Sequence, residues 1–372
     1  MKLNLTRIII TIVLTVMTTL TFAAQVIYPD EQLIKINRYE TLVHFNKGDP
    51  EKPLVIFVPG DAHLARIAYG YPTGNKKDFL AYWLHERGYS FLGVSYPLDN
   101  PVYSQQYPAF SIQDWGKQIA KAAEQIIREN HLGKHIIVAG WSMGGSVEEA
   151  VNVAAKQSGL TVDVFIGLAA VPPLPYIMQS GPYSANTMLP NKLADRAPLT
   201  SIFTTLVEEQ NKYNQHTVIP RDIYLNEFIG NIPAALTAEG FHYRNGKFVH
   251  DINATLTDSG VYNFAETPWI ALIRDDAQST AKLSLIDPAS WNFIRAEMIY
   301  KNYLGKHDLT ILSEEKWRAL STLVNDLPNN LTLTVHGNHF FFVGEKGAKA
   351  TAEKIDELVA RISKIKKQLE QI

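Results

Sequence analysis

Between Pro53 and Ala170, short apolar runs rich in β-branched and aromatic residues alternate with segments of helical spacing. A strand that is apolar along its whole length must be covered on both faces. Strands of that kind, separated by helices, fold into a mostly parallel sheet with helices on either side, the α/β class. The runs are Pro53–Gly60, Tyr89–Tyr96, Lys134–Gly140 and Val162–Ala170. Between them, Asp78–Arg87, Ile112–Asn130 and Gly144–Gln157 read as helices, the second with Ile119, Ala123, Ile126 and Ile127 on one side. An opening strand or hairpin is expected over Gln32–Phe45.

The alternation stops near Pro172 and returns only after Ala289. Roughly 120 residues are too many for a loop, so this stretch is expected to hold its own helices and to act as a lid over the sheet. Alternation is expected to resume with a strand at Glu297–Leu304 and a helix at Ser313–Val324, with Ser313 as its N-cap. A last strand at Leu331–His336 and a closing helix at Gly347–Leu369 follow. The expected organisation is therefore a core over 25–174, an inserted lid over 175–295 and the rest of the core over 296–372.

The first 24 residues differ in kind. Lys2 and Arg7 precede an apolar run from Ile8 to Phe22, followed by Ala23-Ala24-Gln25. This reads as a secretory signal peptide, which implies a periplasmic or secreted mature protein. The run of roughly 15 residues is short for a bilayer span of about 20, the alternative being an N-terminal membrane anchor. The 372 residues contain no cysteine, which excludes disulfides, thiolate nucleophiles and thiolate metal sites. Lys and Arg number 35 against 37 Asp and Glu, a balance without pull towards nucleic acid. No metal or organic cofactor is implied. The basic tail Lys364-Ile-Lys-Lys-Gln reads as a solvated face.

One motif carries chemistry. Gly140-Trp-Ser142-Met-Gly144-Gly145 lies where the third apolar run meets its helix, the Gly-x-Ser-x-Gly pattern of a nucleophile elbow. Such a turn lifts the serine hydroxyl to the carboxyl edge of the sheet, and larger side chains two residues away would strike neighbouring backbone. The alternative is an inert serine in a glycine-rich turn. Serine needs a base. His339 stands just past the last expected strand, at the same edge; its rival, His336, ends that strand. The orienting acid is expected between Ser142 and His339 in sequence. Asp308, after the expected strand at Glu297–Leu304, fits; Asp275, Asp276 and Asp287 fall in the expected lid, and Asp326 at the far side of the last strand. By position, the backbone N–H groups of Asp61 and Met143 are the candidate oxyanion donors.

Gly140–Gly145, Gly305-Lys-His-Asp308 and Gly337-Asn-His-Phe-Phe341 together resemble the α/β-hydrolase superfamily, over about 53–174 and 295–368. The resemblance implies a Ser142, Asp308, His339 triad that hydrolyses an ester, thioester or amide, and it supports the Asp61 and Met143 donors. One departure stands out: Pro59-Gly60 replaces the His-Gly frequent in that family, and Asp61 brings a carboxylate beside the oxyanion site. It either points inward, opposing the oxyanion, or turns out to cap the loop. Tyr176, Tyr183, Phe203, Tyr213, Tyr224, Phe228, Phe241 and Tyr243 either line an apolar acyl pocket, for a lipid-like substrate, or form the lid's own core. A non-catalytic binding protein on the same scaffold, or a peptidase or acyltransferase with the same triad, are the alternatives to an esterase or thioesterase.

Overall fold

The computed structural model describes residues 27–175 and 187–371, with 281–284 described by backbone alone. The expected signal peptide lies outside the described residues, as do Tyr176 and Tyr183. No described helix is long and apolar enough to cross a membrane.

Ten strands are described: β1 (Glu31–Ile36), β2 (Tyr39–Asn46), β3 (Leu54–Val58), β4 (Phe91–Ser95), β5 (His135–Trp141), β6 (Thr161–Leu168), β7 (Phe241–Arg244), β8 (Lys247–His250), β9 (Ile270–Arg274) and β10 (Thr332–Thr334). Eight of them form one sheet in the order β1-β2-β4-β3-β5-β6-β9-β10, and β7 and β8 pair separately. The first two pairings, β1 with β2 and β2 with β4, are antiparallel; every later pairing in the sheet is parallel. The expected hairpin is thus the edge of the sheet, and the all-apolar runs are its centre.

The principal helices are α1 (Leu80–Glu86), α2 (Ile112–Asn130), α3 (Glu148–Gln157), α4 (Ala197–Asn214), α5 (Ile252–Ser259), α6 (Ala281–Asn302), α7 (Glu314–Asn330) and α8 (Glu345–Glu370). Their ends follow local chemistry. Ser111 Oγ accepts from Asp114 N at the start of α2, and His131 closes it in the left-handed region at φ 56°. Ser313 caps α7 as expected, accepting from Lys316 N.

Alternate side chains of each central strand serve opposite cores. Leu54, Ile56 and Val58 join Ile119 and Ala123 of α2 and Val151 of α3 on one face. Val55 and Phe57 join Leu84 of α1, Leu199 and Phe203 of α4, and Ile355 of α8 on the other. Each of these side chains is buried, an arrangement worth about 1.5–3 kcal/mol per large aliphatic group.

Two expectations are corrected. Glu297–Leu304 is not a strand: up to Asn302 it is the end of α6, and Leu304 opens a single 3₁₀ turn. Its apolar residues follow helical spacing, with Ile294, Met298 and Ile299 buried, and Arg295 is buried among them. The Arg295 guanidinium reaches the carbonyls of Ile270, Leu327 and Leu331, fastening α6 to the sheet and to the end of α7. The strand that takes the expected place is β9, a five-residue Ile-Ala-Leu-Ile-Arg run inside the stretch assigned to the lid. The chain therefore returns to the sheet at Ile270, and α4 belongs to the core face rather than to a separate unit.

The site is positioned by strand order. β3 lies between β4 and β5, so the chain turns one way after β3 and the other way after β5. Open α/β sheets leave a crevice at the carboxyl ends of strands where the order reverses. Val58 pairs with Gly140 in register, so the loops leaving β3 and β5 emerge side by side at that crevice.

Candidate active site

Ser142 follows β5 directly and has φ 53°, the left-handed region that a residue with a side chain rarely adopts. Such a conformation costs on the order of 1 kcal/mol or more and persists only where the surroundings enforce it. Here they do. A methyl on Gly140 would lie 2.5 Å from the Phe165 ring, and one on Gly144 would lie 2.8 Å from the Val58 carbonyl oxygen. The Ser142 carbonyl accepts from Val171 N at 2.9 Å, and Ser146 Oγ donates to the Leu236 carbonyl at 3.0 Å. The elbow is thereby tied to the loop after β6 and to the segment before β7.

Ser142, Met143, Asp61 and His339 all line one pocket. Four residues drawn from three separate stretches of sequence thus converge. The remaining walls are apolar where Val171, Pro172 and Leu174 after β6 and Leu199, Phe203 and Leu206 of α4 line them, and Thr237, Glu239 and Thr280 add polar groups. Of the aromatics expected in an acyl pocket or a lid core, only Phe203 among the described residues lines this one. Tyr224 and Phe228 are buried behind it, and Phe241 packs on His250.

His339 comes from the loop after β10 and is buried. Burial lowers its pKa to about 4, so the imidazole is neutral at ordinary pH and one ring nitrogen is available as a base. Its Nδ1 has no hydrogen-bond partner among the described residues. The rival His336 is largely exposed and pairs with Asp276 at 3.0 Å.

Asp308 is not brought to His339. It is exposed, caps a 3₁₀ turn and accepts from the N–H and hydroxyl of Thr310 at 3.0 and 2.6 Å, which hold its carboxyl below the usual range. The assignment rested on a strand at Glu297–Leu304; since that segment is helix, Asp308 does not stand at the carboxyl end of a strand. Asp275 does. It follows β9 directly, is buried, and its neighbours Asp276 and Ala277 donate to the Gly337 carbonyl of the loop that carries His339. The signal that marks it is the Ile270–Arg274 run between Pro268 and Asp275. Asp287 on α6 is a second buried carboxyl. Burial and the nearby Asp275 push its pKa up to about 8.

The loop after β3 is held peptide by peptide. Tyr96 Oη donates to the Gly60 carbonyl at 2.7 Å. A trans peptide directs its N–H opposite its C=O, so this bond turns the Asp61 N–H away from Tyr96. His63 Nδ1 lies 2.6 Å from the Asp61 carbonyl oxygen, and Nε2 lies 2.8 Å from Tyr224 Oη. A carbonyl only accepts, which assigns the proton to Nδ1 and leaves Nε2 accepting from the tyrosine. Burial drives the His63 pKa down to about 3, keeping this neutral tautomer.

The Asp61 carboxyl does not face the pocket alone. Its Oδ2 lies 3.5 Å from Arg196 Nη1, and Arg196 is itself buried at the start of α4. Burial raises the Asp61 pKa and the Arg196 charge opposes that rise. Arg196 thus offsets the carboxylate that would otherwise oppose an oxyanion. Sequence reasoning missed Arg196, which lies 135 positions from Asp61 and in no motif. Among the described residues no group of three or more metal-binding side chains is arranged to hold an ion.

No family model matches the chain, and no curated protein matches it in sequence. Solved structures do match in shape. An esterase from Thermogutta terrifontis superposes with TM-score 0.50 at 11% identity, covering 89% of this chain and 98% of that one. An epoxide hydrolase from Vigna radiata gives 0.48 at 13% identity, covering 89% and 97%. A thioesterase domain from the curacin biosynthetic pathway gives 0.41 at 13% identity, covering 87% and 98%.

Proposed function

On the α/β-hydrolase fold, which this chain has, we propose that Ser142 is the nucleophile of a hydrolase acting on a carboxylic ester or thioester. The observation that carries this reading is the left-handed Ser142, at the carboxyl edge of the sheet, sharing one pocket with the neutral His339.

In the proposed reaction His339 takes the Ser142 proton as Oγ bonds to the substrate carbonyl carbon. The Met143 N–H and the Asp61 N–H, aimed by the Tyr96 and His63 clamps, hold the oxyanion, each donor in such sites being worth about 3 kcal/mol of barrier. The bond to the leaving alcohol or thiol then breaks, and His339 returns the proton to it. Water deprotonated by His339 attacks the acyl-enzyme, releasing the acid and restoring Ser142. Asp275 replaces Asp308 as the carboxylate that orients His339, supported by its burial and its place after β9. The apolar walls from α4 and the 171–174 segment favour an apolar acyl group. We further propose that the protein works outside the cytoplasm, after removal of a signal peptide over residues 1–24.

Fluorophosphonate labelling of the purified mature protein tests the core of this reading. Labelling of the parent that is lost in Ser142→Ala and His339→Ala supports an activated serine. A folded parent that does not label sinks the enzyme reading. It leaves the non-catalytic binding protein, the alternative favoured by the absence of a hydrogen bond at His339 Nδ1.

A further inference from the structure

We propose that the protein carries a second ligand site: a cleft of aromatic rings beside β2 and β4 that binds an uncharged sugar ring. The site stands apart from the hydrolase reading and does not rest on it.

The cleft shares no lining residue with the pocket that holds Ser142. Phe45 and Asn46 of its wall pair with Leu92 and Phe91 at the start of β4, the edge of the sheet opposite Ser142. Its ring walls are Tyr69, Tyr71, Phe79 and Tyr82. Three glycines make room for these rings. A methyl on Gly93 of β4 would lie 2.9 Å from the Tyr69 ring, one on Gly74 2.8 Å from the Tyr71 ring, and one on Gly70 2.5 Å from the Phe79 ring. Tyr69 donates its hydroxyl to Glu31 at 2.6 Å and Tyr71 to the Val218 carbonyl at 3.3 Å, which leaves their rings to the cleft.

His44 supplies a fixed polar atom. Its ring stacks on Tyr69, with centroids 4.1 Å apart and 10° between the planes. Nδ1 lies 3.1 Å from the Asp30 carbonyl oxygen. A carbonyl only accepts, so Nδ1 carries the proton and Nε2 is an acceptor. Burial holds the His44 pKa below its ordinary value and keeps this neutral form. His44 is only 7% exposed, yet Nε2 makes no hydrogen bond among the described residues and is left to the cleft.

The other polar groups of the lining decide the ligand. Asn46, the Asp30 carboxylate and the Lys47 and Lys76 ammonium groups stand around the rings, and none of the three charges is in a salt bridge among the described residues. An anion would leave Asp30 facing a like charge, and a cation would do the same to both lysines. A hydroxyl both donates and accepts, so it meets Nε2, Asp30 and the lysines alike. The negative face of an aromatic ring prefers weakly positive C–H groups. A sugar ring has both, hydroxyls around its rim and C–H groups on its faces.

Saturation-transfer NMR of the mature protein tests this, with the methyl glycosides of glucose, galactose, mannose, xylose and N-acetylglucosamine at millimolar concentration. Phenylacetate is the probe for an aromatic anion. We expect transfer to at least one glycoside, strongest at the C–H protons of one ring face. Its affinity should weaken about fivefold in His44→Phe, which keeps the stack on Tyr69 and removes the acceptor, and in Tyr82→Ala. Near-ultraviolet circular dichroism checks the fold of each variant, and Lys76→Ala, on the exposed rim, reports if His44→Phe does not fold. No transfer to any glycoside, transfer to phenylacetate alone, or a glycoside affinity unchanged in the folded variants overturns the proposal. None of these outcomes bears on Ser142.

Discussion

Trp141 Nε1 donates to the His339 carbonyl oxygen at 2.9 Å, across 198 positions of sequence. The bond fastens the end of the nucleophile strand to the loop that carries the base. The Trp141 ring reinforces it, packing edge-on against Phe340 and Phe342 and against His63 of the loop after β3. One side chain thus holds three parts of the site in mutual register. Trp141→Phe keeps most of the packing and deletes the bond. Its expected stability loss is about 1 kcal/mol, measured by urea unfolding. Turnover should fall by about tenfold or more, because small misplacements of reacting groups cost rate steeply. A Trp141→Phe variant with parental kcat would show that the His339 loop is placed by other contacts.

Tyr96 acts on the site through its hydroxyl, which donates to the Gly60 carbonyl at 2.7 Å. Tyr96→Phe frees that peptide to rotate and spoils the aim of the Asp61 N–H. Ground-state binding to the apolar walls is untouched. The expected signature is a kcat reduced by about tenfold with KM nearly unchanged, since an oxyanion donor acts in the transition state. Equal changes in both constants would point to a general loosening of the fold.

The two carboxylates make opposite predictions. Asp308→Asn should leave kcat/KM at the parental level, as Asp308 is exposed and bonded only within its own turn. Asp275→Asn should lower kcat by about 10⁴-fold, the scale seen when a triad histidine loses its orienting acid. Steady-state kinetics of the two variants decide between them, and loss of activity in Asp308→Asn would restore the assignment made from sequence.

Buried carboxyls give the fold a defined pH dependence. Asp287 titrates near 8, raised by burial and by Asp275. Glu148, whose two oxygens have no hydrogen-bond partner among the described residues, is raised well above the usual range by burial and by Glu149. Both groups hold their protons more tightly folded than unfolded. Their contribution to stability is therefore fully present below the unfolded pKa of about 4 and is lost as pH rises through the folded values. Asp287→Asn and Glu148→Gln should gain stability relative to the parent as pH is raised from 4 to 8, in thermal melts across that range. A parent-to-variant difference that does not change with pH would show that these carboxyls ionise freely in the fold.

The base gives a pH test of the proposed pairing with Asp275. Burial alone lowers the His339 pKa to about 4. With Asp275 orienting His339 as proposed, the acid limb of kcat/KM is expected above pH 4, because a paired carboxylate stabilises the imidazolium. A limb near 4 would mean that His339 works without an orienting acid.

Much of this was decided along the chain. The apolar runs at Leu54–Val58 and over residues 136–141 leave a strand no choice but burial on both faces, and that alone implies helices on both sides of a parallel sheet. The elbow at Gly140–Gly145 is likewise local, because the strain at Ser142 is relieved or enforced by residues two positions away. What the sequence left open depends on contacts between distant segments. Five residues from Ile270 to Arg274 are too few for periodicity to declare a strand, and the apolar positions near Glu297–Leu304 suit a strand or a helix until Arg295 is seen buried against the carbonyls of β9 and the end of α7. The choice between Asp308 and Asp275 followed from that single ambiguity. The direction of the Asp61 carboxyl is of the same kind: its own loop permits either orientation, and the charge that settles it arrives on α4. Local sequence fixes backbone conformation through short-range sterics, whereas pairing of buried charges and strands is a property of the packed chain.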